Sequence, residues 1–350
     1  MIRKHRVLAF CLTAVLAVAA CGGSATPNPT AAPTSAGASA TPAAAATPVT
    51  GTIKLGFTSS PDSSHMPTLL AFDEMNKVGW HATTTFFTTP EVAFGALSAG
   101  DVDIVDGATT AALSAIQAGA KIHVIGLESL IAWDVVATNA LTKCDDLVGK
   151  RWGLNSPGGV TTALADYWIQ NNCSAASQTA IKPIYISGSE VRASAMVAGQ
   201  LDATMETPLD DVNINTQAPG KFHVLVNFAA DPSLKGYLST TFVVNDAFAA
   251  AHPEVVVAFL KGLMKGYKDA LANPSLMAAP AKENNITYDA PTQAAIVLEY
   301  QQGIYDPTLA FTDAAMNFTI QFGVKYGGIA LGLSAAQVDN TSFLQQASTP

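Results

Sequence analysis

The chain has 350 residues, few charges for its length and a formal net charge of −9. No cluster of Lys or Arg follows position 20, which argues against nucleic acid as a partner. Beyond the first fifty residues, about 300 remain, enough to bury a large core as one or two domains.

The chain opens on Met1-Ile2-Arg3-Lys4-His5-Arg6, runs apolar from Val7 to Ala20, and closes that run with Val18-Ala19-Ala20-Cys21. A basic start and an apolar stretch too short for a permanent membrane helix have the layout of a signal peptide, residues 1–20. The small residues leading into a cysteine resemble a bacterial lipobox. The resemblance implies cleavage before Cys21, a diacylglyceryl thioether on its sulfur, and an extracytoplasmic protein anchored to the cell membrane. A plain signal peptide with an incidental cysteine is the competing reading. Residues 21–50 are small, uncharged and rich in Pro. Such a stretch cannot offset its chain entropy by burial, so it is expected to be a disordered, proline-stiffened linker.

Next comes a strand, Ile53 to Phe57, that ends in the hydroxyls Thr58, Ser59 and Ser60. A helix is expected over Met66–Lys77 and a second strand near Thr83–Phe87. Then follows Glu91-Val92-Ala93-Phe94-Gly95-Ala96-Leu97-Ser98-Ala99-Gly100-Asp101-Val102-Asp103-Ile104, read as a helix, a Gly C-cap and a strand. That strand ends at Asp106, and Thr109 and Thr110 open another helix.

About a hundred residues on, the same order returns. A strand near Arg151–Leu154 ends in Ser156-Pro157-Gly158-Gly159, a helix covers Val160–Asn171, and a strand lies near Ile181–Ile186. Glu190-Val191-Arg192-Ala193-Ser194-Ala195-Met196-Val197-Ala198-Gly199-Gln200-Leu201-Asp202-Ala203 then echoes the earlier segment, and its strand ends at Glu206. Two β-α-β-α-β copies imply parallel sheets with right-handed crossovers, and a repeat this long suits two lobes better than a solenoid. Leu238–Val244 reads as one more strand and Pro253–Ala272 as a helix with one apolar face. The mostly helical remainder is expected to pack back on the first lobe. The expected fold class is therefore α/β, with lobe one at 51–138 and 240–350, lobe two at 139–239, and a hinge of two crossings.

Cys144 and Cys173 remain in the mature chain, and in an oxidising compartment a disulfide is the simplest reading; two buried thiols are the alternative. Their places before one strand and after one helix put them at the base of lobe two, away from the cleft.

Asp146-Leu147-Val148-Gly149-Lys150-Arg151, Ser156-Pro157-Gly158-Gly159-Val160, Ala198-Gly199-Gln200-Leu201-Asp202-Ala203 and His252-Pro253-Glu254 with Ala258-Phe259-Leu260-Lys261 resemble the substrate-binding lipoproteins of ABC importers, in the nitrate/sulfonate/taurine and pyrimidine-precursor group. The resemblance spans about Gly51 to Tyr267. It implies a periplasmic-binding fold of the second type, a small-molecule ligand, delivery to an ABC permease and ATPase, and no catalytic residues, metal or cofactor. A monomer is expected.

Ligands of open α/β sheets sit at the carboxyl ends of strands. The helix start at Ser156, Gly158, Gly159, Thr161 and Thr162 offers free N–H groups and hydroxyls that favour negative charge. Thr58, Ser59 and Ser60 occupy the equivalent edge of lobe one, with Thr109, Thr110 and Glu206 at the other strand ends. A carboxylate at the cleft, Glu206 and with it Asp106, disfavours a simple anion. A nitrogen-containing heterocycle or a sulfonate-like compound that carries donors is thus expected. Trp133 and Trp80 are candidates to stack on a ring. An enzyme resembling a pyrimidine-precursor synthase would need a reactive histidine and metal-binding cysteines, whereas the histidines here are scattered. A ligand-sensing lobe for a membrane signalling partner is the third reading.

Overall fold

The structure is a computed structural model that describes residues 49–349. The expected signal peptide, the candidate lipidation site Cys21 and the expected linker up to residue 48 lie outside the described residues.

The first copy runs β1 (Thr52–Phe57), α1 (Met66–Lys77), β2 (His81–Phe86), α2 (Pro90–Ala99), β3 (Ile104–Ala108), α3 (Thr109–Gln117) and β4 (Ile122–Leu130). The second runs β5 (Asp134–Thr138), β6 (Trp152–Leu154), α4 (Val160–Asn172), α5 (Ala175–Ala180), β7 (Pro183–Tyr185), α6 (Ser189–Val197), β8 (Ala203–Glu206), α7 (Pro208–Gln217) and β9 (Phe222–Asn227). Then come β10 (Leu238–Asn245), α8 (Asp246–Ala251), α9 (Pro253–Ala272), α10 (Ala278–Glu283), α11 (Ala290–Gln301), α12 (Asp313–Tyr326), α13 (Ala335–Val338) and α14 (Ser342–Ala347). The echoing glycines close their helices as their sequence places suggest. Gly100 at φ 81° and Gly199 at φ 70° lie in the left-handed region, which a side chain disfavours.

Two five-stranded sheets result, in the orders β2-β1-β3-β10-β4 and β7-β6-β8-β5-β9. Both are mixed, where wholly parallel sheets were expected. β10 runs antiparallel to β3 and β4, and β5 runs antiparallel to β8 and β9. The reason is the path of the chain. β4 ends at the edge where β1 and β3 end, and the chain then enters the other sheet from its matching edge, so β5 points backwards; β10 repeats this on the return. β5 therefore belongs to the second sheet, although the expected boundary at 138 placed it in lobe one. The crossings, 131–133 and 228–237, touch: the Phe228 N–H donates to the Trp133 carbonyl at 3.0 Å.

Ile53, Leu55 and Phe57 of β1 are wholly buried, and the α9 face Val256, Phe259, Leu260, Leu263 and Tyr267 covers this sheet together with α1. Where α9 crosses α1, a Cβ on Gly266 would lie 2.4 Å from the Ala71 Cβ and 2.5 Å from its Cα. Helix backbones cannot give way cheaply, so Gly266→Ala is expected to destabilise by about 1–3 kcal/mol or more, despite the better helix propensity of Ala. Urea unfolding with an unchanged slope checks this; a neutral Gly266→Ala would show that the two helices separate freely. The C-terminal helices reach further than expected: α14 packs on α9 and β4, but α11 packs on α7 and α12 on α4, both of the second copy.

Cys144 and Cys173 form a disulfide with Cα atoms 5.1 Å apart, joining the turn before β6 to the end of α4. It lies at the opposite end of β6 from the cleft. Closing this loop stabilises by roughly 3–4 kcal/mol on the chain-entropy model. Reduction is expected to lower the melting temperature while leaving ligand preference unchanged; a changed preference would contradict a purely structural bond.

Candidate ligand-binding site

The strand ends of both sheets enclose a cavity of about 70 Å³. From the first sheet come Thr58 and Ser59 after β1, Asp106 and Ala108 of β3, Glu128 and Ser129 of β4, and Ser239 of β10. Trp133 of the first crossing lines it too, and its Nε1 donates to Ser239 Oγ at 3.2 Å. From the second sheet come Asn155, Val160, Ser189, Arg192 and Thr207; Glu299 and Tyr305 close it from the C-terminal region.

The loop after β1 is held locally. Asp62 caps a short turn through the Ser64 N–H and hydroxyl, and its own N–H donates to His65 Nδ1 at 3.2 Å. The His65 ring packs on Phe57 and Phe86, with centroids 4.5 and 5.7 Å away. Burial holds this imidazole below its ordinary pKa, against the opposing pull of Asp62. An Nδ1 that accepts a backbone proton is neutral, so His65 brings no charge to the cavity.

Charge around the cavity is strongly one-sided. Asp62, Asp106, Glu128 and Glu299 line it, each with at most 4% of its surface exposed. Burial pushes the Asp106 carboxyl up to about 8, although the Thr68 hydroxyl holds it back. Glu128 is raised by burial and then by Asp106, and Glu299 by burial and then by Asp210 and Asp134. Asp106 Oδ2 and both Glu299 carboxylate oxygens have no hydrogen-bond partner among the described residues. A buried carboxylate without donors costs several kcal/mol, so these oxygens call for N–H groups or a cation.

Among the described residues, Arg192 is the only arginine or lysine lining the cavity, and it is engaged elsewhere. Its Nε and Nη2 donate to the Met205 carbonyl and its Nη1 to the Ile186 carbonyl, at 2.9–3.2 Å. Its Nε also lies 3.7 Å from Glu206 Oε1. Glu206 accepts from the Thr204 hydroxyl at 2.7 Å and is wholly buried; burial raises its pKa, and Arg192 pulls it back. Glu206 thus stands one layer behind the cavity as the counter-charge of Arg192.

Among the residues singled out in the sequence, Thr58, Ser59, Asp106 and Trp133 line the cavity, while the remaining candidate ligand residues do not. Thr109 is buried with its hydroxyl 3.3 Å from that of Thr241, and Thr110 reaches the Gly158 carbonyl at 3.5 Å. The start of α4 is knitted by its own side chains. Thr161 Oγ1 accepts from the Asn155 N–H, and the Thr162 hydroxyl donates to the Ser156 carbonyl. A Cβ on Gly159 would lie 3.0 Å from Ser156 Oγ. Ser60 faces Gly188 across the rim. The Gly158 N–H donates to Glu91 Oε1 of α2 at 3.1 Å. The helix start that the sequence offers to an anionic ligand therefore faces a carboxylate of the chain itself. Trp133 is at the cavity, as weighed, while Trp80 is core.

Asp62, Glu128 and Glu299 were not singled out. Their signal was available: Glu128 follows Val124-Ile125-Gly126-Leu127, and Glu299 stands three and four residues after Ile296 and Ala295. A carboxylate inside an apolar strand, or on the apolar face of a helix, is rarely at a surface.

The solved structures this chain resembles share the fold at low identity. A protein from Bordetella bronchiseptica matches at TM-score 0.70 and 15% identity, over 85% of this chain and 96% of that one. The alkanesulfonate-binding protein SsuA from Xanthomonas axonopodis, bound to MOPS, matches at TM-score 0.61 and 18% identity, over 82% and 97%. The periplasmic nitrate-binding protein NrtA from Synechocystis matches at TM-score 0.66 and 11% identity, over 85% and 88%. These likenesses establish the two-lobed periplasmic-binding-protein fold. No curated protein sequence matches the chain. The family model described as NMT1/THI5 like matches residues 88–276, more than half of the chain, and the chain belongs to that family.

Proposed function

We propose that this protein is the extracytoplasmic solute-binding component of an ABC importer and that its ligand is a small organic cation, a basic nitrogen compound. The cleft captures it between two lobes that hinge at the crossings 131–133 and 228–237, and hands it to a permease and its ATPase. Tethering through a lipid on Cys21 belongs to the same proposal. Family membership and relatives described as sulfonate- and nitrate-binding support the importer role.

One observation carries the ligand class: Asp106, Glu128 and Glu299 are buried at the cavity, while the one arginine there is already paired with Glu206. Sulfonate or nitrate would meet these carboxylates without a free cation, and Glu91 faces the helix start that would otherwise welcome them. An ammonium or protonated heterocycle supplies the missing donors, and Trp133 and Tyr305 offer it aromatic faces. The rest of the sequence-derived set, Ser60, Thr109, Thr110, Ser156, Gly158, Gly159, Thr161, Thr162 and Glu206, shapes the rim and the layer behind.

A thermal-shift panel of primary amines and amino-substituted heterocycles against alkanesulfonates and nitrate tests this. A ligand at 100 times its dissociation constant adds about 2.7 kcal/mol. Shifts with amines and none with sulfonates are expected; the reverse would overturn the ligand class.

A further inference from the structure

Glu299 faces two cavities. Besides the ligand cavity it lines a larger one of about 530 Å³, where α7 packs on α11. Asp134, the first residue of β5, and Asp211, in the first turn of α7, wall this rear cavity with it. Asp134 and Asp211 are 4% and 7% exposed, and each has one carboxylate oxygen without a partner among the described residues. Burial raises the pKa of both carboxyls, and Asp134 raises that of Asp211 further, so a donor placed between them would relieve both. Among the described residues, no lysine, arginine or histidine lines the rear cavity. With the acids, its lining combines the apolar Ala294, Ala295 and Leu298 of α11 with the polar Asn227 and Gln302. Glu299 is thus common to both linings, with Asp106 and Glu128 in one and Asp134 and Asp211 in the other.

We infer that the rear cavity receives a second ammonium group of the same ligand, and that the cargo is an elongated aliphatic diamine or oligoamine. One end pairs with Asp106 and Glu128, the other with Asp134 and Asp211, and Glu299 stands between them. Methylene groups lie along the apolar wall of α11. This inference rests on the cationic-ligand reading above and adds the length of the ligand and its second charge. Two sets of carboxylates that share Glu299 match charges separated by a chain, whereas a compact monoamine would satisfy only one set. The described residues hold no group of three or more side chains arranged to grip a metal ion, so an organic ammonium suits these acids better than a divalent metal.

Calorimetry with propylamine, putrescine, cadaverine and spermidine on the full chain tests this, with calcium and magnesium chloride as controls. Affinity is expected to rise at least tenfold from propylamine to the best oligoamine. In Asp211→Asn, and separately in Asp134→Asn, that ratio is expected to fall about tenfold. Circular dichroism melts identify any variant that fails to fold, and the second variant then carries the test. Equal affinities of propylamine and the oligoamines, or a ratio untouched in both variants, would overturn the second site while leaving the cationic reading intact. Binding of none of these amines would overturn both. Divalent cation binding that is lost in Asp211→Asn, with no oligoamine preference, would assign the rear cavity to an inorganic ion and also overturn the inference.

Discussion

Asp106→Asn is expected to weaken the binding of a small primary amine by about thirtyfold or more while leaving the ligand-free protein as stable or more stable. Opposite signs are expected if, as proposed, Asp106 serves the ligand and not the fold. It is 3% exposed at the carboxyl end of β3, and its Oδ2 has no donor among the described residues. In the ligand-free protein burial disfavours its ionised form and raises its pKa to about 8, and asparagine reproduces the neutral form with almost no change of shape. In the complex, loss of one charged partner from a buried pair costs about 2–5 kcal/mol. Titration calorimetry and urea unfolding of the same variant separate the two effects. A large loss of stability with unchanged amine affinity would make Asp106 a structural residue and remove it from the site.

The second large effect is with pH. Burial raises Asp106 to about 8 and Asp134 and Asp210 to about 6, and lifts Glu128, Asp211 and Glu299 well above the ordinary carboxylate range. In the unfolded chain all of them titrate near 4. Between about pH 4 and 8 the folded protein therefore holds protons that the unfolded chain has released. A raised carboxyl contributes its stability at low pH and loses it as pH climbs through the folded value, at about 1.4 kcal/mol per unit per group. Asp202 has the opposite sign. Its hydrogen bond to Arg151 holds it down to about 2, so its contribution is lost only in strong acid, and the exposed arginine keeps it small. Ligand-free protein should therefore be most stable near pH 4–5 and weaken steadily towards pH 8. A cationic ligand needs the ionised carboxylates, so its stabilisation should grow across that same window. Melts at intervals from pH 4.5 to 8.5, with and without saturating propylamine, should diverge as pH rises. A ligand-free melting temperature that climbs over this range would contradict charge stored in the cleft.

Much of the fold was legible because the two copies say the same thing in the same order. The limits of α1, α4 and α9 follow from the Pro253 start, the apolar faces and the strand-to-hydroxyl endings that precede α1 and α4. Mixed sheets were not legible, since the direction of β5 and β10 depends on the edge at which the chain re-enters, and local pattern is blind to that. The site was half legible. Strand ends located the cleft, and Thr58, Ser59 and Trp133 are there. Glu206 was expected to face the ligand, but it does not line the cavity, and Arg192, fourteen positions earlier on α6, lies beside it. Glu91 meeting Gly158 joins residues 67 apart in sequence, and only the approach of the lobes brings them together. Glu128 and Glu299 come from a strand and a C-terminal helix outside the echoing motifs, so the internal repeat could not point to them.

The proposed preference of the cleft for a cation is tested most directly by identifying the molecule that the protein carries through purification. Native mass spectrometry of the intact protein, followed by release in acid and identification of the small molecule, gives both stoichiometry and chemistry. The account predicts one equivalent of a basic nitrogen compound, positively charged at neutral pH and released as the carboxylates protonate. One equivalent of a sulfonate, nitrate or other anion, retained at low pH, would contradict it.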